Sequence, residues 1–223
     1  ENLSRSEGEK PLYIMYDQIY SALTFGAHQH FDPVSIRPEL RPFTIYVDGL
    51  SKAFAATGIR VGWSMGPAKI IDKMKSILSH IGAWAPKAEQ VASAAFLKNK
   101  PAISEYMTHF KSEVEFRLRS FYDGIQSFKK EGIAVDCIEP MAAIYLTVQF
   151  NLKGKTTADG KVLQTTEDVT AFILDQAKFA IVPFSAFGAS SDSTWYRLSV
   201  GTASREKIPA MLATLGNALR SLK

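Results

Sequence analysis

The 223-residue chain has a single cysteine, Cys137, so no disulfide can form within it and a disulfide-stapled scaffold is excluded. No apolar run reaches the length of a membrane span, and no charged-then-apolar leader opens the chain. Neither sign of charge dominates. Lys and Arg number 26 against 22 Asp and Glu, a net charge of +4, and the basic residues are scattered among acids. That pattern carries no electrostatic footprint for nucleic acid. Histidines are few: His28 and His30 flank Gln29 with no third ligand at metal-site spacing, and His80 and His109 fall in helical patterns. No bound metal is expected. An initiator Met is also missing, and ENLSRSEGEK opens the chain with the polarity of a loop in mid-course. These absences predict a cytoplasmic globular protein of one large or two small domains.

What is present begins with short apolar, aromatic-rich runs. PLYIMYD (11–17) and FTIYVDG (43–49) each carry an Asp at or near the end, and RVGWSMG (60–66) is a third such run. Each reads as a buried strand, and the long connections predict a parallel or mixed sheet covered on both faces. In such sheets ligands gather beyond strand ends, where Asp17 and Lys52 stand. From Pro67 the period changes. Ile70, Ile71, Met74, Ile77, Leu78 and Ile81 form a helical stripe. A second helix is predicted over 87–98, then a long amphipathic one over 103–130 that would join two domains. IAVDCIEP and AAIYLTVQF predict strands of a second unit, and 151–164 an exposed hairpin or loop. Thr165 with Asp168 predicts a helix start, and 204–222 a last amphipathic helix.

One stretch is chemically odd. SKAFAATGIRVGW (51–63) places Lys52 and Arg60 among small and apolar neighbours, where an unpaired buried cation is costly. Either both reach solvent or they are held for a ligand. Taken singly, each candidate has an ordinary reading. Lys52 is then a surface lysine, Asp17 a turn residue, Tyr20 a half-buried aromatic and Ser51 a helix or turn cap. Arg197, inside the apolar run TWYRLSVG, is a structural arginine paired with an acid. Phe54 and Trp63 read as core, and Gly58 and Gly62 as permitting a tight loop backbone.

Taken in order, three motifs narrow the reading. D-x-x-Y (Asp17 to Tyr20), S-K-A-F-x-x-T-G-x-R-x-G (Ser51 to Gly62) and Y-R-L-S (Tyr196 to Ser199) resemble class I/II aminotransferases. These are pyridoxal-phosphate enzymes of the aspartate aminotransferase fold, and the resemblance covers nearly all of the chain. It implies an α/β protein: the C-terminal part of a large, mainly parallel cofactor domain over 1–105, then a linking helix and a small α+β domain over 106–223. It implies that Lys52 is the catalytic amine, forming an internal Schiff base with pyridoxal 5′-phosphate and then carrying a proton. Asp17 would pair with the pyridine nitrogen and Tyr20 donate to the 3′ oxygen, while Ser51 and Arg60 hold the phosphate. Arg197 would fork onto the substrate's α-carboxylate. PFSAFG (183–188) resembles the family's substrate-facing loop with Phe184 in place of Gly. PMAAIYL (140–146) resembles its Pro-x-Gly-Ala-x-Phe pattern with Ala142 in place of Gly, and Gln18 stands where Glu is frequent.

The implied reaction moves an amino group from an amino acid to a 2-oxo acid by a ping-pong mechanism, the aspartate type among the candidates, in a homodimeric parent. Family members are nearly twice as long. Their N-terminal half carries further strands, a small-residue turn at the phosphate, a ring-stacking aromatic, an Asn near the 3′ oxygen and a tyrosine reaching the neighbouring subunit. None of these is found here, so this chain is expected to be a C-terminal portion, inactive by itself, with an exposed apolar edge. Two alternatives stay open. One is a lyase or synthase of the same fold, which shares Lys, Asp and Arg. The other is an aminotransferase-like sensory domain of a transcription regulator, binding the cofactor without turnover.

Overall fold

A computed structural model describes residue 5 and residues 8–223; residues 1–4, 6 and 7 of the polar opening lie outside the described residues. The chain divides into two units, Glu1–Thr108 and His109–Lys223.

The first unit is built on a three-stranded mixed sheet in the order β1 (Ile14–Asp17), β2 (Thr44–Gly49), β3 (Gly62–Met65). β1 and β2 are parallel, and the register sets Asp17 beside Val47. Their crossover holds α1 (Pro33–Ile36), started by a capping box in which Asp32 and Ser35 satisfy each other's end of the helix. β3 runs antiparallel to β2 and sets Gly62 against Gly49. Between them lies α2 (Leu50–Ala53), followed after β3 by α3 (Ala68–Ile81) and α4 (Lys87–Phe96). α5 (Lys100–Lys130) contains the division between the two units.

The predicted strands form, but the predicted burial does not. Met15 in β1 is 76% exposed and Met65 in β3 is 51% exposed. The stripe of α3 has the predicted spacing, yet no residue of that helix is buried. Phe54 and Trp63 are half-buried rather than core. Phe54 joins a small aromatic cluster, edge-on to Phe96 at 5.5 Å and stacked on Tyr106 at 5.9 Å. The physical reason is coverage: among the described residues of the first unit nothing closes over the second side of these elements.

The second unit is an antiparallel sheet with helices packed on its apolar face. Its strands are β4 (Val135–Cys137), β5 (Tyr145–Phe150), β6 (Val182–Pro183) and β7 (Trp195–Ser199), in the order β4-β5-β7-β6. Its further helices are α6 (Thr166–Ala177) and α7 (Ile208–Arg220). Strict alternation decides the faces. Leu146, Val148 and Phe150 of β5 and Tyr196 and Leu198 of β7 are buried, while Tyr145, Thr147 and Arg197 stand on the other face. Helix α5 buries Val114, Leu118, Phe121, Ile125 and Phe128, one face at helical period. Close helix approach is set by glycine: a Cβ on Gly124 would meet Leu212 Cδ2 at 2.5 Å. The 151–164 excursion folds back through a bridge between Thr156 and Val162. Thr165 and Asp168 form the predicted capping box of α6. No helix among the described residues is long and apolar enough to cross a membrane.

Candidate functional site

Five of the six sequence-predicted site residues belong to the first unit, and its sheet brings them to one end. Asp17 is the last residue of β1. Its carboxylate accepts the Ile19 N–H at 3.1 Å, which fixes the side chain in a local turn. Gln18 anchors the same turn, its N–H donating to Val47 O at 2.9 Å and its side chain to Asp48 Oδ2 at 3.2 Å. Tyr20 follows, and Lys52 Nζ lies 6.0 Å from the centre of its ring. Thus the Asp-x-x-Tyr turn after β1 and the lysine after β2 are brought together.

Ser51 and Lys52 stand on the short helix α2, which leaves β2 directly. Gly49 is the backbone cap of α2 without a side-chain bond, and Ser51 sits inside the helix, so Ser51 is not a cap. Arg60 arrives by the neighbouring strand. Leu50 N–H donates to Val61 O at 3.1 Å, tying the start of the lysine helix to the residue after Arg60. A staple closes the loop between them: Thr57 Oγ1 donates to Ser51 O at 3.2 Å, and Arg60 Nη1 donates to Thr57 O at 3.0 Å. Ala55 and Arg60 both take positive φ, 49° and 58°, costing about 1–2 kcal/mol each for residues with a Cβ. The loop holds strained backbone at both of these positions, and Arg60 is exposed.

Glycine is needed here, but not at both predicted positions. A Cβ on Gly62 would stand 3.0 Å from Asp48 O, and one on Gly49 would stand 3.0 Å from Val61 O and 3.1 Å from Gly62 Cα. Gly58 has open space around it and no positive φ, so its predicted role is not borne out. Gly49 takes its place. Two clefts border the loop. One of about 460 Å³ is lined in part by Asp48, Arg60, Trp63 and Trp84, and one of about 310 Å³ by Leu50, Phe54, Phe96 and Tyr106. Neither includes Lys52 or Asp17.

Arg197 belongs to the second unit and is described there. It is half-buried on β7, and its guanidinium carbon lies over the Tyr145 and Phe187 rings, 4.5 Å from each centre. The alternative of a structural arginine paired with an acid is not what the fold contains: among the described residues no carboxylate and no hydrogen-bond acceptor takes its donors. Tyr145, Phe187, Thr57 and Gly49 were not singled out from the sequence. Each lies within a quoted motif or its flank, but its contact partner is distant in the chain or depends on loop geometry.

As a set, the residues of the first unit offer an amine, a carboxylate, a phenol, a hydroxyl and a guanidinium at one sheet end. Those donors and acceptors suit an anionic, ring-bearing aldehyde. Comparison with known proteins gives the family. The model described as Aminotransferase class I and II matches residues 3–215. The aspartate aminotransferase of Geobacillus stearothermophilus is 31% identical over 190 residues, covering 85% of this chain and 45% of that protein. That of Rhizobium meliloti (strain 1021) is 29% identical over 196 residues, covering 87% and 45%. The crystal structure of the aspartate aminotransferase from Rhizobium meliloti matches with a TM-score of 0.80 at 27% identity, over 95% of this chain and 50% of that one. The chain spans about half the length of the curated relatives it matches. It belongs to the class I and II aminotransferase family.

Proposed function

We propose that the protein acts as a pyridoxal-phosphate-dependent aminotransferase, moving an amino group between an amino acid and a 2-oxo acid, with aspartate the first amino acid to test. The observation that carries this is the convergence of Asp17, Tyr20, Ser51 and Lys52 at the ends of β1 and β2 with Arg60 at the start of the antiparallel β3, Lys52 lying beside Tyr20. When bound, pyridoxal phosphate supplies the electron sink and carries the amino group between the two half-reactions. Lys52 would supply the amine that holds it, and its Nζ would move the proton at the substrate's Cα. Asp17 would keep a proton on the ring nitrogen, Tyr20 would donate to the ring oxygen, and Arg60 with Ser51 would hold the phosphate. Arg197 binds the substrate carboxylate in a charge-assisted fork. The aspartate reading is supported by the names of the relatives, which are aspartate or aspartate/prephenate aminotransferases.

The same proposal includes a homodimer in the cytoplasm. The apolar side chains left exposed on α3 and the first sheet are the surface that a second subunit and additional chain of relative-like length would cover. The test is reductive trapping. Pyridoxal phosphate is added to the protein, borohydride reduces the adduct, and the labelled peptide is mapped, with Lys52→Ala as control. Label on Lys52 is the expected result, with amino transfer from aspartate to 2-oxoglutarate expected only from a protein of the relatives' length that contains this chain. Label confined to other lysines overturns the cofactor reading. Label on Lys52 with no amino transfer from any amino acid by that longer protein overturns the reaction and leaves a binding protein.

A further inference from the structure

Arg197 is a half-buried cation with an unusual set of neighbours. β7 pairs with β5 so that Arg197 stands opposite Thr147 and Ser199 opposite Tyr145. Tyr145 is therefore the diagonal neighbour of Arg197 on the same sheet face. On the other side β6 pairs Val182 with Arg197, and the tight turn Phe184–Phe187 follows β6 directly. Gly188 closes that turn at φ 90°, a conformation that spares a glycine the Cβ clash. Its N–H donates to Ser185 O at 3.2 Å, and Ala189 N–H donates to Phe184 O at 3.1 Å. The turn carries Phe187 over the guanidinium from one strand while Tyr145 reaches it from another, each ring centre 4.5 Å from the guanidinium carbon.

We infer that Tyr145 and Phe187 are positioning residues, which hold the Arg197 guanidinium in one orientation with its N–H fork left for a substrate carboxylate. This rests on the reading of Arg197 given above. A ring face attracts a cation through its quadrupole and takes up no strong N–H donor, whereas an acid partner would occupy the fork. An arginine has several free torsions that a ligand must otherwise order on binding, and two rings restrict them beforehand. The rings also displace water from beside the charge, which strengthens its attraction to an incoming anion. Arg197 shows this combination complete: two rings over the charge, and no acid or acceptor on the donors among the described residues.

The test reads Arg197 directly by NMR of the ¹⁵N-labelled chain, with Arg197→Lys identifying its Nε–Hε resonance. Two rings over the guanidinium predict a ring-current displacement of that resonance. Pyruvate, a minimal 2-oxo acid, is the probe, and its addition is expected to move the resonance saturably. In Tyr145→Leu and in Phe187→Leu the pyruvate Kd is expected to rise about tenfold. Tyr145→Phe and Phe187→Tyr keep the ring and are expected to restore it. Phe187 is 55% exposed, so its leucine variant removes little core. An unchanged Kd in folded leucine variants overturns the positioning role and leaves Arg197 as the carboxylate residue. A wild-type Arg197 resonance that ignores pyruvate overturns the reading of Arg197, and the positioning role with it. Where a leucine variant does not fold, the wild-type spectrum decides: an Arg197 Hε at its ordinary position overturns the clamp.

Discussion

Helix α3 of the first unit and the His109–Lys130 part of α5 in the second carry apolar stripes of the same kind, and only the second is buried. Ile77 and Ile81 are 60% and 67% exposed, whereas Leu118 and Ile125 are 0% exposed. The contrast extends through the molecule. Of the 30 buried apolar residues among those described, 25 belong to the second unit, which has the larger share of core under one sheet and three helices. The first unit is held instead by strand pairing, caps and a few ring contacts, yet it contains Lys52, Asp17, Tyr20, Ser51 and Arg60. The proposed cofactor residues and most of the core thus fall in different units. The small core of the first unit leaves apolar faces for other chain to cover, and the large core of the second supports the rigid sheet from which Arg197 and its two rings project.

The largest expected effect separates the two stripes. Leu118→Ala is expected to destabilise the second unit by about 3 kcal/mol, a transfer and cavity cost. In the monomeric chain, Ile77→Ala is expected to change stability by less than about 0.5 kcal/mol. Urea unfolding followed through Trp195 for the second unit, and through Trp63 and Trp84 for the first, measures both. An Ile77→Ala loss equal to that of Leu118→Ala would break the comparison, because it would mean that the α3 stripe is buried within the monomer.

Next in size is the glycine pair within the first unit. Gly62→Ala forces a Cβ to 3.0 Å from the Asp48 carbonyl, a backbone atom that cannot swing away. A loss of about 2 kcal/mol and weaker uptake of pyridoxal phosphate are expected. Gly58→Ala, with open space around it, is expected to be neutral or to stabilise by up to about 1 kcal/mol through the unfolded chain. Thermal melts of the two variants check the sign as well as the size.

A smaller effect belongs to the α6 cap. Thr165→Ala is expected to cost about 1 kcal/mol. Lys161, then the Thr165 and Gln164 backbone N–H groups, hold the Asp168 carboxyl well below the usual carboxylate range. Because the folded value is depressed, the contribution is fully present above the unfolded value of about 3.9 and fades as pH falls toward the folded one. The gap in Tm between wild type and Asp168→Asn should therefore narrow as pH drops below about 4. A gap that stays constant to acid pH would count against that ion-paired cap. Last, Cys137 offers a probe without a stability cost. Burial pushes its thiol up to about 12, so alkylation at pH 8 should be slow and should track opening of the second unit. Rapid labelling of native protein would show that this unit opens far more readily than its core implies.

Some features followed from the chain alone. The stripe from Ile70 to Ile81 located α3, the Thr165–Asp168 spacing located the start of α6, and the predicted 87–98 and 103–130 helices became Lys87–Phe96 and Lys100–Lys130. Strand positions were close, but the expected burial of β1 and β3 was wrong, because an apolar run reports capacity for burial and not the presence of a cover. Gly58 was given a role that belongs to Gly49, since sequence shows where backbone freedom exists and not where two strands touch.

What the sequence by itself determined is what residues within a few positions of one another decide: helical period, caps, and the order of Asp17–Tyr20, Ser51–Gly62 and Tyr196–Ser199. What only the tertiary structure decided is distant pairing. It set the antiparallel return of β3 that carries Arg60 back beside the lysine helix. It set the exposed fate of α3, and the meeting of Arg197 with Tyr145 and Phe187 across two strand pairs. The physical reason is that register and coverage depend on the packing of segments remote in the chain, and no local pattern of polarity encodes which remote side chain will face a given one.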